Sequence, residues 1–203
     1  MKGDLFIISA PSGAGKTSLC QALLKTLSNI RFSVSHTTRL PRPEEREGVD
    51  YHFVTGAAFE ALLAQNLFLE HAKVFEHYYG TSALWVEETL HQGFDVMLEI
   101  DWQGAHQIKA LFPEAQSIFI VPPSFDSLRQ RLQHRHPDNE ALVQERLEGL
   151  QDDLLNAHTY DYMVCNDHFE QALEGLQAIV RASRLKCTRQ RVLQENLVKS
   201  LLV

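Results

Sequence analysis

The sequence predicts an α/β fold with a mainly parallel, five-stranded core sheet and helices on both of its faces. Short apolar runs typical of buried strands occur at residues 5–8, 32–35, 95–100, 117–121 and 162–165. Segments with the apolar spacing of amphipathic helices separate most of these runs. The first run leads through a glycine-rich turn into such a segment. This alternation favours parallel strands, because the helices that connect them then cover both faces of the sheet.

Several helix boundaries follow from residues that cap or end helices. Thr55 and Ser124 each precede an apolar helical pattern and are predicted N-caps, while Gly93 is a predicted helix stop. One apolar stripe predicts a single long helix, and its members are Val143, Leu147, Leu150 and Leu154. The stretch from Arg184 onward mixes basic residues with leucines and predicts a helix with one apolar face.

Two segments interrupt the predicted core and divide the single domain into three parts. Residues from about 36 to 82 are polar, contain short strand-like runs and are predicted to form an inserted lobe. Residues from about 124 to 158 are predicted to form a helical hairpin, because Pro137 breaks the helical pattern there. Such a hairpin is a candidate moving lid. The core then comprises residues 1–35, 83–123 and 159–203.

Length and composition are those of one soluble globular domain. The chain has 203 residues, of which 44% are hydrophobic and 22% charged, enough for one substantial core. Its net charge of −7 argues against general binding to nucleic acid or to anionic membranes. The three cysteines are widely spaced, and no apolar stretch reaches membrane length. We therefore expect a cytoplasmic protein without an obligate protein partner.

The stretch Ala10-Pro11-Ser12-Gly13-Ala14-Gly15-Lys16-Thr17 has the features of a phosphate-binding loop. It stands between a predicted strand and a predicted helix, where glycines let several backbone N–H groups point at one phosphate chain. Lys16 adds a positive charge for the outer phosphates, and the Thr17 hydroxyl can reach a magnesium ion. Ala10 replaces the first glycine of the usual pattern, so φ is expected to stay negative there. A plain glycine turn is the alternative.

Arginines suited to phosphate binding lie in two places. Arg39 and Arg42 flank a proline that keeps their loop extended, and guanidinium groups match a phosphate dianion well. The alternative is a solvated loop whose charges are met by Glu44, Glu45 and Glu47. Further arginines on or near the predicted lid are Arg129, Arg131, Arg135 and Arg146. A closing lid can use arginines to neutralise a transferring phosphoryl group, whereas Arg129 is expected on a solvated helix face.

Carboxylates of interest also lie in two places. Glu99 and Asp101 end an apolar strand at positions i and i+2, so both side chains point to one side of the sheet. Beside a phosphate loop, such a strand end is placed for a magnesium–water ligand, with an exposed strand end as the alternative. In the lobe, Glu70 precedes Tyr78-Tyr79-Gly80-Thr81. A buried carboxylate there can accept hydrogen bonds from the ring N1–H and amino group of guanine, although Glu70 can equally face water.

Five motifs carry a family resemblance: SAPSGAGKT at 9–17, VSHTTRLPR at 34–42, YYGT at 78–81, IDWQG at 100–104 and ND at 166–167. Together they resemble bacterial guanylate kinases over about residues 4–183, and the second and third motifs are highly specific to that family. The resemblance implies a three-layer P-loop NTPase fold with a mainly parallel five-stranded core sheet. It further implies an inserted α+β GMP-binding lobe at about 36–82 and a helical lid at about 124–158.

The resemblance also implies roles for individual residues. The guanine would be read by Ser35, Glu70, Thr81 and Asp101, and the GMP phosphate would be held by Arg39, Arg42, Tyr51 and Tyr79. Glu99, where many members have aspartate, also belongs to the GMP site. ATP would be bound by Ala10, Pro11, Ser12, Gly13, Ala14, Gly15, Lys16 and Thr17, with Asn166 and Asp167 at the adenine edge. The catalytic charges would be Lys16, Arg39, Arg42, Arg135 and Arg146. Magnesium would bind at Thr17 and Asp101, partly through water.

The implied reaction is transfer of the γ-phosphoryl group of ATP to GMP, giving ADP and GDP with magnesium, and dGMP is a further expected acceptor. The lid turn at residues 134–139 departs from the glycine- and threonine-containing sequence usual in the family. One alternative is a ribose-bisphosphate kinase, which resembles this scaffold but would not need residues that read guanine. Another is a non-catalytic guanylate-kinase-like interaction module. Such modules have typically lost the ATP loop, whereas the loop from Gly13 to Thr17 is intact here.

Overall fold

The computed structural model describes residues 2–202. The strands are β1 (Leu5–Ser9), β2 (Ile30–Phe32), β3 (His36–Thr37), β4 (His52–Phe53), β5 (Phe68–Val74), β6 (His77–Ser82), β7 (Asp95–Glu99), β8 (Gln116–Val121) and β9 (Tyr162–Cys165). The α-helices are α1 (Lys16–Thr26), α2 (Gly56–Ala64), α3 (Ala83–His91), α4 (Trp102–Leu111), α5 (Phe125–Arg135), α6 (Glu140–Glu148), α7 (Leu150–Asn156), α8 (Phe169–Arg184), α9 (Cys187–Leu193) and α10 (Glu195–Leu201). Over residues 2–202, no helix is both long and apolar enough to cross a membrane.

The core is a five-stranded sheet in the order β2-β7-β1-β8-β9, and every neighbouring pair is parallel. The central strand β1 is buried over all five of its residues. Phe6 and Ile8 pack on one face with residues of α1 and α8, while Leu5 and Ile7 pack on the other face with residues of α3 and α4. The alternation follows from the two-residue period of a strand. The predicted α/β fold with a parallel five-stranded sheet is confirmed.

A second sheet, in the order β4-β3-β6-β5, is built entirely from residues 36–82. Its longest part is the antiparallel hairpin of β5 and β6. Helix α2 covers it, with the Phe59 ring stacked on Phe68 at 4.6 Å between centroids. Gln107 of α4 joins this sheet to the core, because its side chain exchanges hydrogen bonds of 3.1 and 2.8 Å with the backbone of His71.

The predicted helix N-caps are confirmed. The backbone N–H of Ala58 donates to Thr55 Oγ1 at 3.2 Å, and that of Ser127 donates to Ser124 Oγ at 3.1 Å. Each hydroxyl thereby satisfies one of the N–H groups that have no partner in the first turn of a helix. Local sequence therefore determines where α2 and α5 begin.

The second strand is displaced from its predicted position at residues 32–35. Strand β2 occupies Ile30–Phe32, where it pairs with β7. Ser33 still donates its N–H to a β7 carbonyl at 3.0 Å, but the Ser35 carbonyl accepts from the N–H of His52 at 2.9 Å. The chain thus leaves the core sheet after Ser33 and joins the second sheet. A local apolar pattern does not reveal that change of partner.

The long helix predicted from one apolar stripe is also wrong, because it is divided into α6 and α7 at Gly149. Val143 and Leu150 are buried, and Leu147 packs against them in the same core cluster. Leu154, the last member of the stripe, is 45% exposed. The buried stripe therefore continues into the first residue of α7, Leu150, and ends before Leu154.

The C-terminal stretch does not form one helix with a buried apolar face. It consists of the short helices α9 and α10, and neither contains a buried residue. Its basic residues have a structural role instead. Arg184 and Arg189 bond the carboxylate of Asp95, which is fully buried, at 2.7 and 2.8 Å, and Arg189 also pairs with Asp4 at 2.6 Å. These ion pairs fasten the end of the chain to the amino ends of β1 and β7.

Candidate active site

The glycine-rich loop joins β1 to α1 and is shaped to bind an anion. Gly13 and Gly15 have left-handed backbones, with φ of 89° and 93°, a conformation that other residues adopt only at a cost. Ala10 is not among the left-handed residues, which confirms the expected negative φ. Helix α1 begins at Lys16, so its unpaired backbone N–H groups and the positive end of its dipole face the loop.

Lys16 and Thr17 lie beside the carboxyl end of β7. Thr17 Oγ1 donates to Glu99 Oε1 at 2.6 Å, and Lys16 Nζ donates to the Ile100 carbonyl at 3.3 Å. The Asp101 carboxylate instead caps α4 by accepting a backbone N–H at 3.0 Å. Glu99 rather than Asp101 therefore contacts the predicted magnesium-binding threonine. A hydroxyl and a carboxylate side by side are oxygen ligands that suit magnesium, and the assignment of Asp101 to that ion stays a prediction.

Asn166 packs against the loop from the carboxyl end of β9. It is buried, and its Nδ2 donates to the Ala14 carbonyl at 2.7 Å. A Cβ atom at position 15 would collide with the same amide, so Gly15 is required by this packing as well as by its φ. The backbone carbonyl of Asn166 accepts from Arg131 Nη2 at 3.1 Å. Asp167 follows on the exposed side.

Arg39 and Arg42 follow β3 and share one carboxylate. Arg39 Nη2 lies 2.7 Å from Glu45 Oε1, and Arg42 Nη1 lies 3.7 Å from the same oxygen. Burial works against the charge on Arg39, but its ion pair with Glu45 raises the pKa overall. Burial lowers the pKa of Arg42, and the charges of Arg135 and Arg39 lower it further. Glu45 thus meets part of the charge, as the solvated-loop alternative expects, yet positive charge remains for an anion.

Two arginines of the predicted lid approach this pair. Arg146 of α6 is half-buried, and its Nε is buried without a hydrogen-bond partner among residues 2–202. Burial lowers the pKa of Arg146, and the charges of Arg42 and Arg39 lower it too. Arg135, at the end of α5, is near enough to lower the pKa of Arg42. We call these four arginines the arginine pocket. Like charges brought together with so little compensation indicate an anion site.

Tyr51 and Tyr79 line the arginine pocket. Their ring centroids are 5.9 Å apart, and the Arg39 guanidinium lies 5.4 Å from the Tyr51 centroid. Burial raises the pKa of Tyr51, and the Glu99 carboxylate raises it further, so the hydroxyl stays protonated and can donate to an oxyanion. Since Glu99 also bonds Thr17, the arginine pocket lies next to the phosphate loop.

Glu70 is buried in the second sheet, with 3% of its surface exposed. Thr81 Oγ1 donates to Glu70 Oε1 at 2.5 Å. Burial, together with the nearby Asp101 carboxylate, raises the pKa of Glu70 to about 7. A Cβ atom on Gly104 would overlap Glu70 Oε2, so the glycine of the IDWQG motif makes room for this side chain. Ser35 is also buried, immediately before β3.

Replacing Glu70 with Gln is expected to stabilise the protein above neutral pH. The folded pKa of Glu70 is about 7, whereas an unfolded glutamate titrates near about 4.3. The folded state therefore holds a proton that the unfolded state releases, and stability falls as the pH rises through this window. Glutamine removes the buried charge, so we expect a gain on the order of 1–3 kcal/mol at about pH 8 and little change at about pH 4.5.

Thermal unfolding of both proteins at the two pH values measures this difference. Glu60→Gln is the matched control, because Glu60 is an exposed glutamate of α2 in the same part of the chain. Exposed charges contribute little to stability, so this control should not shift the midpoint at either pH. Equal thermal midpoints for wild type and Glu70→Gln at the higher pH would contradict the raised pKa of the buried Glu70 carboxyl.

Asp153 is a further residue of the candidate site, and the sequence does not reveal it. It lies on α7, and burial raises its pKa to about 7, with Lys16 lowering it and Asp101 raising it. Both partners belong to the site, so Asp153 lies at its edge. In the sequence it is one of two adjacent aspartates on a polar helix, and such residues usually face solvent.

Comparisons with known proteins agree with this geometry. A family model described as guanylate kinase matches residues 2–183. A guanylate kinase of Alcanivorax borkumensis is 52% identical over 201 residues, which cover 99% of this chain and 97% of that protein. One from Coxiella burnetii is 50% identical, covering 99% and 96%. The crystal structure of guanylate kinase from Anaplasma phagocytophilum matches with a TM-score of 0.80 and 33% identity, covering 96% and 95%. The chain has the P-loop NTPase fold and belongs to the guanylate kinase family.

Proposed function

We propose that this protein is an ATP:GMP phosphotransferase, which moves the γ-phosphoryl group of ATP to GMP and forms ADP and GDP. The observation that carries the proposal is the meeting of two anion sites, the phosphate loop after β1 and the arginine pocket. Two adjacent phosphate sites suit a reaction in which one phosphate attacks another, because both reactants are then held in line. Membership of the guanylate kinase family supports the same reaction.

The Glu70 carboxylate is proposed to read the guanine. It can accept hydrogen bonds from the N1–H and the amino group of guanine, whereas adenine presents an acceptor at N1. The bond from Thr81 orients the carboxylate, and we assign Ser35 and Asp101 to the same base site. A nucleotide with another base would leave buried polar groups unpaired, which strongly lowers the kcat/KM for that nucleotide.

The proposed reaction needs no general base. The acceptor, GMP, is a phosphate monoester with a second pKa of about 6. Most GMP phosphate groups are therefore dianions at neutral pH. Four side chains are proposed to hold this dianion: Arg39, Arg42, Tyr51 and Tyr79. Lys16 and the backbone N–H groups of the loop bind the outer phosphates of ATP, with Asn166 and Asp167 at the adenine edge. Arg135 and Arg146 neutralise the charge on the phosphoryl group during its transfer.

Magnesium is proposed to accompany ATP. Thr17 Oγ1 and Glu99 Oε1 would hold it, directly or through water, with Asp101 further along the same strand end. When bound, the ion would supply positive charge that neutralises the phosphates of ATP. The protein's own part is to keep the two oxygen ligands together, as their 2.6 Å contact does.

The three parts of the chain are proposed to divide the work. Core residues 1–35, 83–123 and 159–203 carry the ATP loop, residues from about 36 to 82 bind GMP, and residues from about 124 to 158 form the lid. Closure of the lid would keep water from taking the phosphoryl group. The approach of the lid arginines to Arg39 and Arg42 supports this division, because two of the three lid helices, α5 and α6, contribute to the arginine pocket.

The buried Glu70 distinguishes this proposal from a ribose-bisphosphate kinase. A sugar phosphate offers no pair of ring donors, and burying a carboxylate without such partners is costly. The intact loop distinguishes it from a non-catalytic interaction module, because Gly13, Gly15, Lys16 and Thr17 keep the geometry needed for phosphate binding.

A coupled assay of ADP formation with GMP, dGMP, AMP, UMP and ribose phosphates tests the proposal. We expect the highest kcat/KM with GMP, with dGMP next, because both carry the guanine that Glu70 reads. A better acceptor among the ribose phosphates would favour the sugar-phosphate kinase. GMP binding without any ATP turnover would favour the interaction module.

A further inference from the structure

We propose that Phe75, at the tip of the β5–β6 hairpin, is a positioning residue for Arg146 and joins the GMP-binding sheet to the lid. Phe75 lies between Val74 and His77, the last residue of β5 and the first of β6. The Arg146 guanidinium carbon stands 4.2 Å from the centroid of its ring. The inference rests on the phosphotransfer proposed above, in which Arg146 neutralises the transferring group.

The backbone of Phe75 is unfavourable for a phenylalanine. Its φ is +53°, in the left-handed region. Among residues 2–202, two other non-glycine residues have positive φ, Asn29 and Asn66, and asparagine tolerates this conformation best after glycine. A two-residue hairpin turn also favours glycine, asparagine or aspartate. Local structure therefore gives no reason for an aromatic ring here, so the reason must lie in what the ring contacts.

The ring contacts two parts of the lid. One is the guanidinium of Arg146 on α6. The other is the junction of α6 and α7, where a Cβ atom on Gly149 would stand 3.8 Å from the ring Cζ atom. The ring face therefore contacts Arg146 of α6, and the ring edge lies beside the junction of α6 and α7. A guanidinium over a ring face is attracted by the electrostatic field of the ring.

An aromatic ring can hold Arg146 without occupying its donors. Arg39 is held by the Glu45 carboxylate, which uses one of its N–H groups. Arg146 has its Nε buried without a hydrogen-bond partner in the described part of the chain, and the charges of Arg39 and Arg42 repel it. A ring face fixes the plane of the guanidinium, so the N–H groups at its edge remain available for phosphate oxygens.

The position of Phe75 also couples the base site to the lid. The same hairpin carries Glu70 and Thr81, which bond each other, and Tyr79. Strand β5 is held to α4 by the bond from Gln107 to the His71 carbonyl. Movement of the hairpin on binding guanine would therefore move the ring that supports Arg146. Loss of the ring should lower the rate of the chemical step more than it weakens the binding of GMP or of ATP.

The experiment compares Phe75→Leu with Phe75→Tyr. Leucine keeps an apolar side chain but has no ring, whereas tyrosine keeps the ring and should retain activity. For Phe75→Leu we expect kcat to fall about fivefold to tenfold, with KM for GMP and for ATP within about twofold of wild type. Glu76→Ala is the matched control, because Glu76 is the exposed neighbour in the same turn, and it should leave kcat unchanged.

Two further variants separate positioning from folding. Phe75→Asn suits the positive φ, so its thermal midpoint should not fall, yet its kcat should fall as in Phe75→Leu. In an Arg146→Ala background, Phe75→Leu should cause no additional loss, because the group that the ring positions is gone.

Failure of the inference differs from failure of the proposed function. A wild-type protein that does not phosphorylate GMP would overturn the proposed function and this inference together. An active wild type with unchanged kcat in Phe75→Leu, or equal losses in the Leu and Tyr variants, would overturn the inference alone. An additional loss in the Arg146→Ala background would overturn it as well, because Phe75 would then act through another group.

Discussion

Replacing Lys16 with Met is expected to lower kcat/KM for phosphoryl transfer by about 10⁴-fold while leaving the fold intact. Lys16 is the first residue of α1, and its ammonium lies 3.3 Å from the Ile100 carbonyl, beside the proposed phosphate loop. In the proposed reaction it supplies a positive charge where the charge of the outer phosphates changes during transfer. Methionine has a similar length and apolar stem but no charge, so it removes that stabilisation without leaving a large cavity.

Lys25→Met is the matched control for this change. Lys25 lies in the last turn of the same helix and is exposed, so the substitution is chemically identical but distant from the loop. We expect its kcat/KM to stay within about twofold of wild type. Steady-state assays, with thermal unfolding of each variant, provide the measurement. Comparable kcat/KM values in the two variants would show that Lys16 does not contribute to phosphoryl transfer.

Replacing Glu70 with Gln is expected to lower kcat/KM for GMP by about 10³-fold and to leave the Kd for ATP within about threefold. Glutamine keeps one acceptor oxygen and turns the other position into an N–H₂ donor, which would face a donor of guanine. The remaining oxygen is already engaged by Thr81. The substitution should therefore weaken binding of the guanine base and spare ATP binding at the phosphate loop. That loop follows β1, whereas Glu70 lies on β5.

Calorimetric titration with GMP and with ATP separates these effects, and the exposed Glu60→Gln again provides the control. Wild-type kcat/KM for GMP should rise as the pH passes through about 7, because the pKa of free Glu70 is about 7 and the ionised carboxylate is the acceptor. The phosphate of GMP ionises nearby, near about pH 6, so the variant serves as the reference profile. Equal weakening of GMP binding and ATP binding would show that Glu70 does not recognise the guanine base.

The same substitution is expected to stabilise the fold and impair the reaction. That combination is typical of a site residue that is held in a state unfavourable to folding. A glutamate with a purely structural role would differ in its effect on stability, because its replacement would lower both stability and activity. The two measurements on one variant therefore test whether the burial of Glu70 serves binding.

The core fold and the phosphate loop could be predicted from local signals. An apolar strand, a glycine turn and the start of a helix are adjacent in the chain, so the loop at Ala10–Thr17 depends on short-range geometry. The caps at Thr55 and Ser124 are local as well. Strand β2 ends before its predicted position, because the chain changes partner there from β7 to the second sheet. Such pairing depends on residues distant in sequence.

Motifs in the sequence determined which residues are candidates, and only the tertiary structure decided how they are divided among tasks. Glu99 and Asp101 are equivalent in the sequence, yet Thr17 contacts Glu99 while Asp101 caps α4. Phe75 and Arg146 are far apart in the chain, and only folding places the ring against the guanidinium. The physical reason is that burial and contacts across the fold set the charge state and orientation of a side chain. Those quantities depend on neighbours that the local sequence does not specify.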